Sequence, residues 1–224
     1  MPHHFAERHG LIIIIALGES IVAIGIGIGI GIGIGIGIGI GIGIGIGAEA
    51  GIDAGVVTAA VLGIAVAAGL WWLYLDVVAR AAERRLSRAA VGREQNEMAR
   101  DSYSYLHFPM VAGIVLIALG MKKTLGHVGD PLHTVPAAAL LGGTALYLLA
   151  HVAFRLLNVH SLNTPRLICA VVAVALVPLA VEVPALVSLA ILAGILVALI
   201  AYETIRFSEA RDRIRHALEE PGPG

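Results

Sequence analysis

The sequence predicts an all-α fold: a polytopic bundle of about six transmembrane helices, with an over-long first helix built on a Gly/Ile repeat. Three observations carry that prediction. Hydrophobic residues make up 58% of the 224 and charged residues 14%, with a mean hydropathy of +0.90. An average soluble domain holds about 25% charged residues, so this chain has too little polar surface to cover itself in water. The apolar residues also fall into runs near the ~20 residues that a helix needs to cross a bilayer. Finally, Lys and Arg are distributed unevenly between the segments that separate those runs.

The first span begins after His9 with "GLIIIIALGESIVAIG" and enters a repeat at 24–47, twelve Ile-Gly dipeptides in a row. Period two is the period of a strand. A lone strand in lipid, however, leaves its backbone groups unpaired at several kcal/mol each. A helix satisfies them and loses roughly 1 kcal/mol per Gly relative to Ala, so the bilayer favours helix. Residues 10–47 as one helix would run about 57 Å, nearly twice a hydrocarbon core of about 30 Å. The excess is expected to protrude from the outer face. Strict alternation spaces glycines only by even numbers, which neither G-x-G-x-x-G nor the Walker A pattern permits. G-x-x-x-G recurs too often here to mark a helix dimer. The repeat reads as a low-complexity expansion without chemistry.

The second span, Ala54 to Asp76, closes on "LWWLYLD", where Trp71, Trp72 and Tyr74 suit an interfacial aromatic belt. A charged connector over 77–105 interleaves six arginines with glutamates and reads as a helix on the inner surface. The third span runs from Leu106 to Met121 and on toward Leu125, and the fourth from Val135 to Leu157. The fifth, Leu167 to Val181, is short. It reads as a steep or partly inserted hairpin with the sixth, Ala185 to Ile205, across Glu182, Val183 and Pro184. A tail over 208–224 completes what reads as a single membrane domain, 1–224.

With six spans, thirteen of the fifteen basic residues fall on one side, and only Lys122 and Lys123 on the other. Positive residues collect on the cytoplasmic side. The expected location is therefore the inner membrane of a bacterium, multi-pass, with both termini cytoplasmic.

Ionisable groups inside a membrane are functional candidates. Glu19, in "ALGES", lies ten residues past His9, about 15 Å along a helix and so close to the midplane. A carboxylate there must be paired, hydrated by a cavity, or neutral. Ser20 beside it can hydrogen-bond within the helix. Asp76 ends the second span and His107 opens the third on the same side, so both are candidates for a proton- or substrate-binding polar cluster with Glu19 and Ser20. His151 with Arg155, and Glu203 with Arg206, are one turn apart and are expected to form ion pairs at the inner ends of their helices. His3, His4 and His9 lack a metal-binding spacing, and neither H-E-x-x-H nor C-x-x-C occurs. The single cysteine, Cys169, lies within an apolar run and has no disulfide partner in the chain. No metal, cofactor, catalytic triad or nucleic-acid surface is expected.

The segments "FAERHGLIIIIALGESIVAIG", "LWWLYLD" and "HFPMVAGIVLIALGMKK" resemble, in this order, the bacterial low temperature requirement protein A family. The resemblance covers most of the chain outside 24–47. Its motifs fall on Glu7, Arg8, His9, Glu19, Ser20, Trp71, Trp72, Tyr74, Asp76 and His107. It implies a multi-spanning bacterial inner-membrane protein linked by name to growth in the cold. Family members carry a further membrane half before this region, so the chain looks like a C-terminal portion. Besides the lipid bilayer, the expected partner is that N-terminal half or a second copy of the chain. Where members have a short connector this chain has the repeat, and after "IALG" it carries Met121 where an acid is frequent.

The function expected from these residues is a proton-coupled or small-solute transporter that uses an intramembrane carboxylate. Two alternatives stand beside it: a structural or stress-related membrane protein without transport, and a membrane-embedded enzyme acting on lipid through Glu19, Asp76 and His107. The first would tolerate neutral substitutions at all three positions. The second needs the three to converge.

Overall fold

A computed structural model of the protein describes residues 10–18, 21–22, 54–75 and 105–219. The over-long first helix through the repeat at 24–47, and all but the last residue of the connector expected over 77–105, lie outside them. Every described element is helical apart from turns and one isolated bridge, Pro131 with Pro184. In chain order these are α1 (10–18), α2 (Ala54–Leu73), α3 (Leu106–Gly126), α4 (Thr134–Ala137), a π-helical turn (Ala138–Gly142), α5 (Gly143–Val159), α6 (Thr164–Ala175), α7 (Val177–Ala180) and α8 (Ala185–Glu219).

Among the described residues, four helices are long and apolar enough to cross a membrane: Ala54–Leu73, Leu106–Gly126, Thr134–Leu157 and Ala185–Arg206. Their limits lie within a few residues of the second, third, fourth and sixth expected spans. The fifth span is shorter and broken. Pro178 cannot donate a backbone N–H, and the helix resets at Leu176 between α6 and α7. From Thr164 to Ala180 the pair rises about 25 Å, a little under the hydrocarbon thickness of about 30 Å. α8 continues as helix past its apolar part to Glu219, into the expected tail.

The core follows helical periodicity. In α1, Ile13, Ala16 and Leu17 are buried at i, i+3 and i+4, while Leu11, Ile12, Ile14 and Ile15 face outward. Tyr74, Ile114, Met121, Leu140, Tyr147, Leu189 and Leu196 belong to the same continuous cluster. Met121 is fully buried in it.

Glycines set the closest helix approach. A Cβ on Gly113 would stand 2.8 Å from the Gly143 carbonyl, and one on Gly120 2.6 Å from Leu140 Cβ and 2.8 Å from its backbone. α3 therefore lies directly against the π turn and the start of α5, as small residues permit in membrane bundles. α8 packs on α2, and α6 on α5.

The two ends of the bundle are tied differently. At one end the turn after α3 bonds the start of α8: Ala185 N–H donates to the Asp130 carbonyl at 2.8 Å, and Leu186 N–H to that of Val128 at 3.1 Å. At the other end α2 and α5 finish while α3 and α6 begin, and side chains supply the ties. α5 stops there at His160, in the left-handed region with φ 52°.

Candidate functional site

The site lies where the described part of α2 closes. Helical backbone continues through residues 74–75 as π-helix, and the inner face here is buried: Leu70, Leu73 and Tyr74 are all nearly inaccessible. Two side chains from other helices donate to carbonyls of this stretch. The Tyr147 hydroxyl of α5 donates to the Leu70 carbonyl at 2.7 Å. Arg166 of α6 donates through Nη1 to the Leu73 carbonyl at 3.2 Å.

Arg166 is 1% exposed. A guanidinium in such a place needs a counter-charge and acceptors for its N–H groups. Glu203 of α8 supplies both in a two-pronged pair, Nε to Oε1 at 2.9 Å and Nη2 to Oε2 at 2.7 Å. Asn163 completes it. Its Nδ2 donates to Glu203 Oε1 at 3.1 Å, while its Oδ1 accepts from the Arg166 backbone N–H at 3.4 Å and caps α6. One ion pair thus joins the end of α2, the start of α6 and the last apolar turns of α8.

Next to it lies an aromatic and imidazole cluster. The Tyr74 hydroxyl and His107 Nε2 share a hydrogen bond of 3.1 Å, buried, across 33 residues of chain. Edge-to-face contacts join Tyr74 to His107 and to His151, and His107 to Phe154. His151 Nδ1 lies 2.8 Å from the Tyr147 carbonyl, which can only accept, so Nδ1 carries a hydrogen. The imidazole has no partner for Nε2 among the described residues. α1 reaches the same cluster: a Cβ on Gly10 would stand 3.9 Å from the Tyr74 hydroxyl.

Of the residues singled out from sequence, the structure brings Tyr74 and His107 into contact. Trp71 and Trp72 lie on the outer surface of α2, 43% and 47% exposed, apart from this cluster. Glu7, Arg8, His9, Glu19, Ser20 and Asp76 lie outside the described residues. The expected short-range ion pairs are corrected. Glu203 pairs with Arg166, 37 residues earlier, and Arg206 turns instead to the Tyr202 hydroxyl at 3.0 Å. Arg155 donates to Ser161 Oγ at 2.9 Å, and His151 turns to backbone and rings. Sequence reasoning counted Arg166 only as a positive charge and gave no role to Asn163 or Tyr147. The available signal was an Asn-Thr-Pro-Arg run, a cap with Pro at the first turn, placing a charge where an apolar helix begins.

The model of one protein family, described as bacterial low temperature requirement A protein (LtrA), matches residues 1–201. No curated protein and no solved structure matches the chain.

Proposed function

Because the chain belongs to the bacterial low temperature requirement A family, we propose that it carries protons, or a small solute coupled to them, across the bacterial inner membrane. Glu19 serves as the intramembrane carboxylate, with Ser20, Asp76 and His107 beside the route. The arginine-rich side is the cytoplasmic side in this reading, and both termini lie there.

The observation that supports it is the buried Tyr74–His107 hydrogen bond, with His151 in ring contact on the same tyrosine. Packing alone asks for apolar groups at such a depth. Hydroxyl and imidazole groups that exchange protons are expensive there and mark pathways by default. Imidazole can donate and accept through its two nitrogens at one time, which suits a relay. Arg166 and Glu203 hold the helix ends around this route and do not themselves move protons. They are fixed to each other and to α2.

The test is proton flux into liposomes containing the full chain, read with an internal pH dye under an imposed gradient. Wild-type protein is expected to dissipate the gradient and Glu19→Gln to lose that ability. Equal flux from the two proteins would sink the reading, and tolerance of neutral residues at Glu19, Asp76 and His107 together would favour a structural role.

A further inference from the structure

His151, on α5, is 1% exposed, and its ring meets two tyrosines, with centroids 4.3 Å from Tyr147 and 6.4 Å from Tyr74. Its Nδ1–H is held by the Tyr147 carbonyl, one turn earlier on the same helix. Nε2 is buried and takes no hydrogen bond among the described residues. A buried acceptor left in that state costs about 1–3 kcal/mol, and native structures keep few of them without a chemical reason. Other buried polar groups nearby are satisfied. Thr144 donates to the Leu140 carbonyl and Tyr147 to that of Leu70, while Asn163, Arg166 and Glu203 bond one another.

The two histidines of the cluster are tied differently, and the ties set what each can do. His107 Nε2 bonds the Tyr74 hydroxyl, a group that can both give and take a proton. His151 Nδ1 bonds a carbonyl, which accepts a hydrogen bond but passes no proton onward. A proton must therefore reach His151 at Nε2 and leave from that same atom. The ring need not turn, because Nδ1–H stays on the carbonyl in both states. The Arg166 charge, which would oppose a second cation nearby, is paired with Glu203. Rings at these distances leave little space for a solute, and a proton needs none.

We propose that His151 holds the proton in transit: Nε2 takes it from the Tyr74–His107 pair and yields it to a carboxylate that reaches the same atom in turn. This assignment rests on the proton-carrying function proposed above and adds the group that stores the proton. Tyr74 touches both histidines. Its O–H breaks as the Nε2–H bond of His151 forms, and a protonated His107 restores the hydroxyl through its own Nε2. The net change moves one proton from His107 to His151. Entry and exit share one nitrogen, so the proton cannot run straight through.

The full chain in liposomes with an internal pH dye provides the test. His151→Phe keeps a ring among the tyrosines and should lower flux about 100-fold or more, the range for a positioned proton-transfer group. Ser188→Ala removes another buried group without a partner among the described residues, and should leave flux unchanged. In His151→Ala, added imidazole should restore flux, whereas pyrazole, of the same shape but a much weaker base, should not. Restoration by both alike would show that the ring only fills space, and restoration by neither would also remove the assignment. Absence of flux from wild-type protein would sink the proton-carrying function and the role of His151 together. Flux from wild type and His151→Phe alike would sink the role of His151 alone. Nitrogen NMR of labelled imidazoles in wild-type protein, in micelles, gives a readout independent of flux. The signal missing from His151→Phe or His151→Gln identifies the residue. Its neutral ring should carry hydrogen on Nδ1 and none on Nε2; the reverse would overturn the proposal, because Nε2 could then accept nothing.

Discussion

Arg166 and Glu203 meet through two parallel hydrogen bonds, at 2.9 and 2.7 Å, where α2 ends, α6 begins and α8 leaves its apolar stretch. Removing one partner leaves a charge buried and uncompensated, at about 3–5 kcal/mol. Arg166→Met and Glu203→Met are each expected to destabilise by that amount in detergent unfolding curves. The double variant is expected to recover a large part, because replacing both charges with apolar groups is often neutral. A double variant as unstable as the sum of the singles would show that the pair is not the source of the cost.

Tyr147 tests the tie between α5 and α2 in isolation. Tyr147→Phe keeps the ring in the core and removes the hydroxyl that donates to the Leu70 carbonyl. The expected loss is about 1 kcal/mol, the net value of one intramolecular hydrogen bond. The same unfolding curves measure it, and an unchanged midpoint would mean that this bond adds nothing to stability.

The glycine contacts give a sharper contrast. Gly120→Ala would place a methyl group 2.8 Å from the Leu140 backbone, which cannot swing aside. Overpacking of that kind costs about 1–3 kcal/mol. Gly142→Ala meets nothing within 4 Å and should be neutral or slightly stabilising. If both variants unfold at the same midpoint, the close approach of α3 to the π turn is wrong.

Tyr74→Phe separates the proton route from the packing. The ring contacts to His107 and His151 remain, and only the hydroxyl is lost. Stability is expected to fall by about 1 kcal/mol, while proton flux in liposomes falls at least tenfold. Full flux in Tyr74→Phe would remove the Tyr74–His107 bond from the route.

Much of the bundle was legible in the sequence because span limits depend on hydropathy and length alone. Ala54, Leu106, Val135 and Ala185 each fall within a residue of an observed helix start. The site was far less legible. Glu203 and Arg206 are neighbours on one helix by the i, i+3 rule, yet the observed partner comes from a different helix. Burial decides the matter: Glu203 is 3% exposed and demands a counter-charge, whereas Arg206 reaches the surface. Local spacing carries no information about that choice. Tyr74 is instructive in another way. Composition groups it with Trp71 and Trp72, but Trp72 and Tyr74, two apart, point to opposite sides of a helix. Leu70 and Tyr74, four apart, share the inner face. The periodicity needed to separate Tyr74 from Trp72 was present, but α2 is apolar all round and offered no polar face against which to read it; Trp71, three before Tyr74, is not separated from it by spacing alone.

The position of Arg166 also bears on the order in which the chain enters the membrane. Ribosomes deliver α6 well before residue 203, so for a time its guanidinium has no counter-ion, and the helix behind it is only twelve residues long before its break. Such a segment gains little by inserting alone. It is expected to wait at the interface and enter with α8 as a single hairpin, the acid arriving to neutralise the base as both descend. Cys169, the sole cysteine, reports on this directly. In chains truncated before residue 203 it should react with a membrane-impermeant maleimide, and in complete chains it should be shielded; equal labelling of the two would show that α6 inserts unaided.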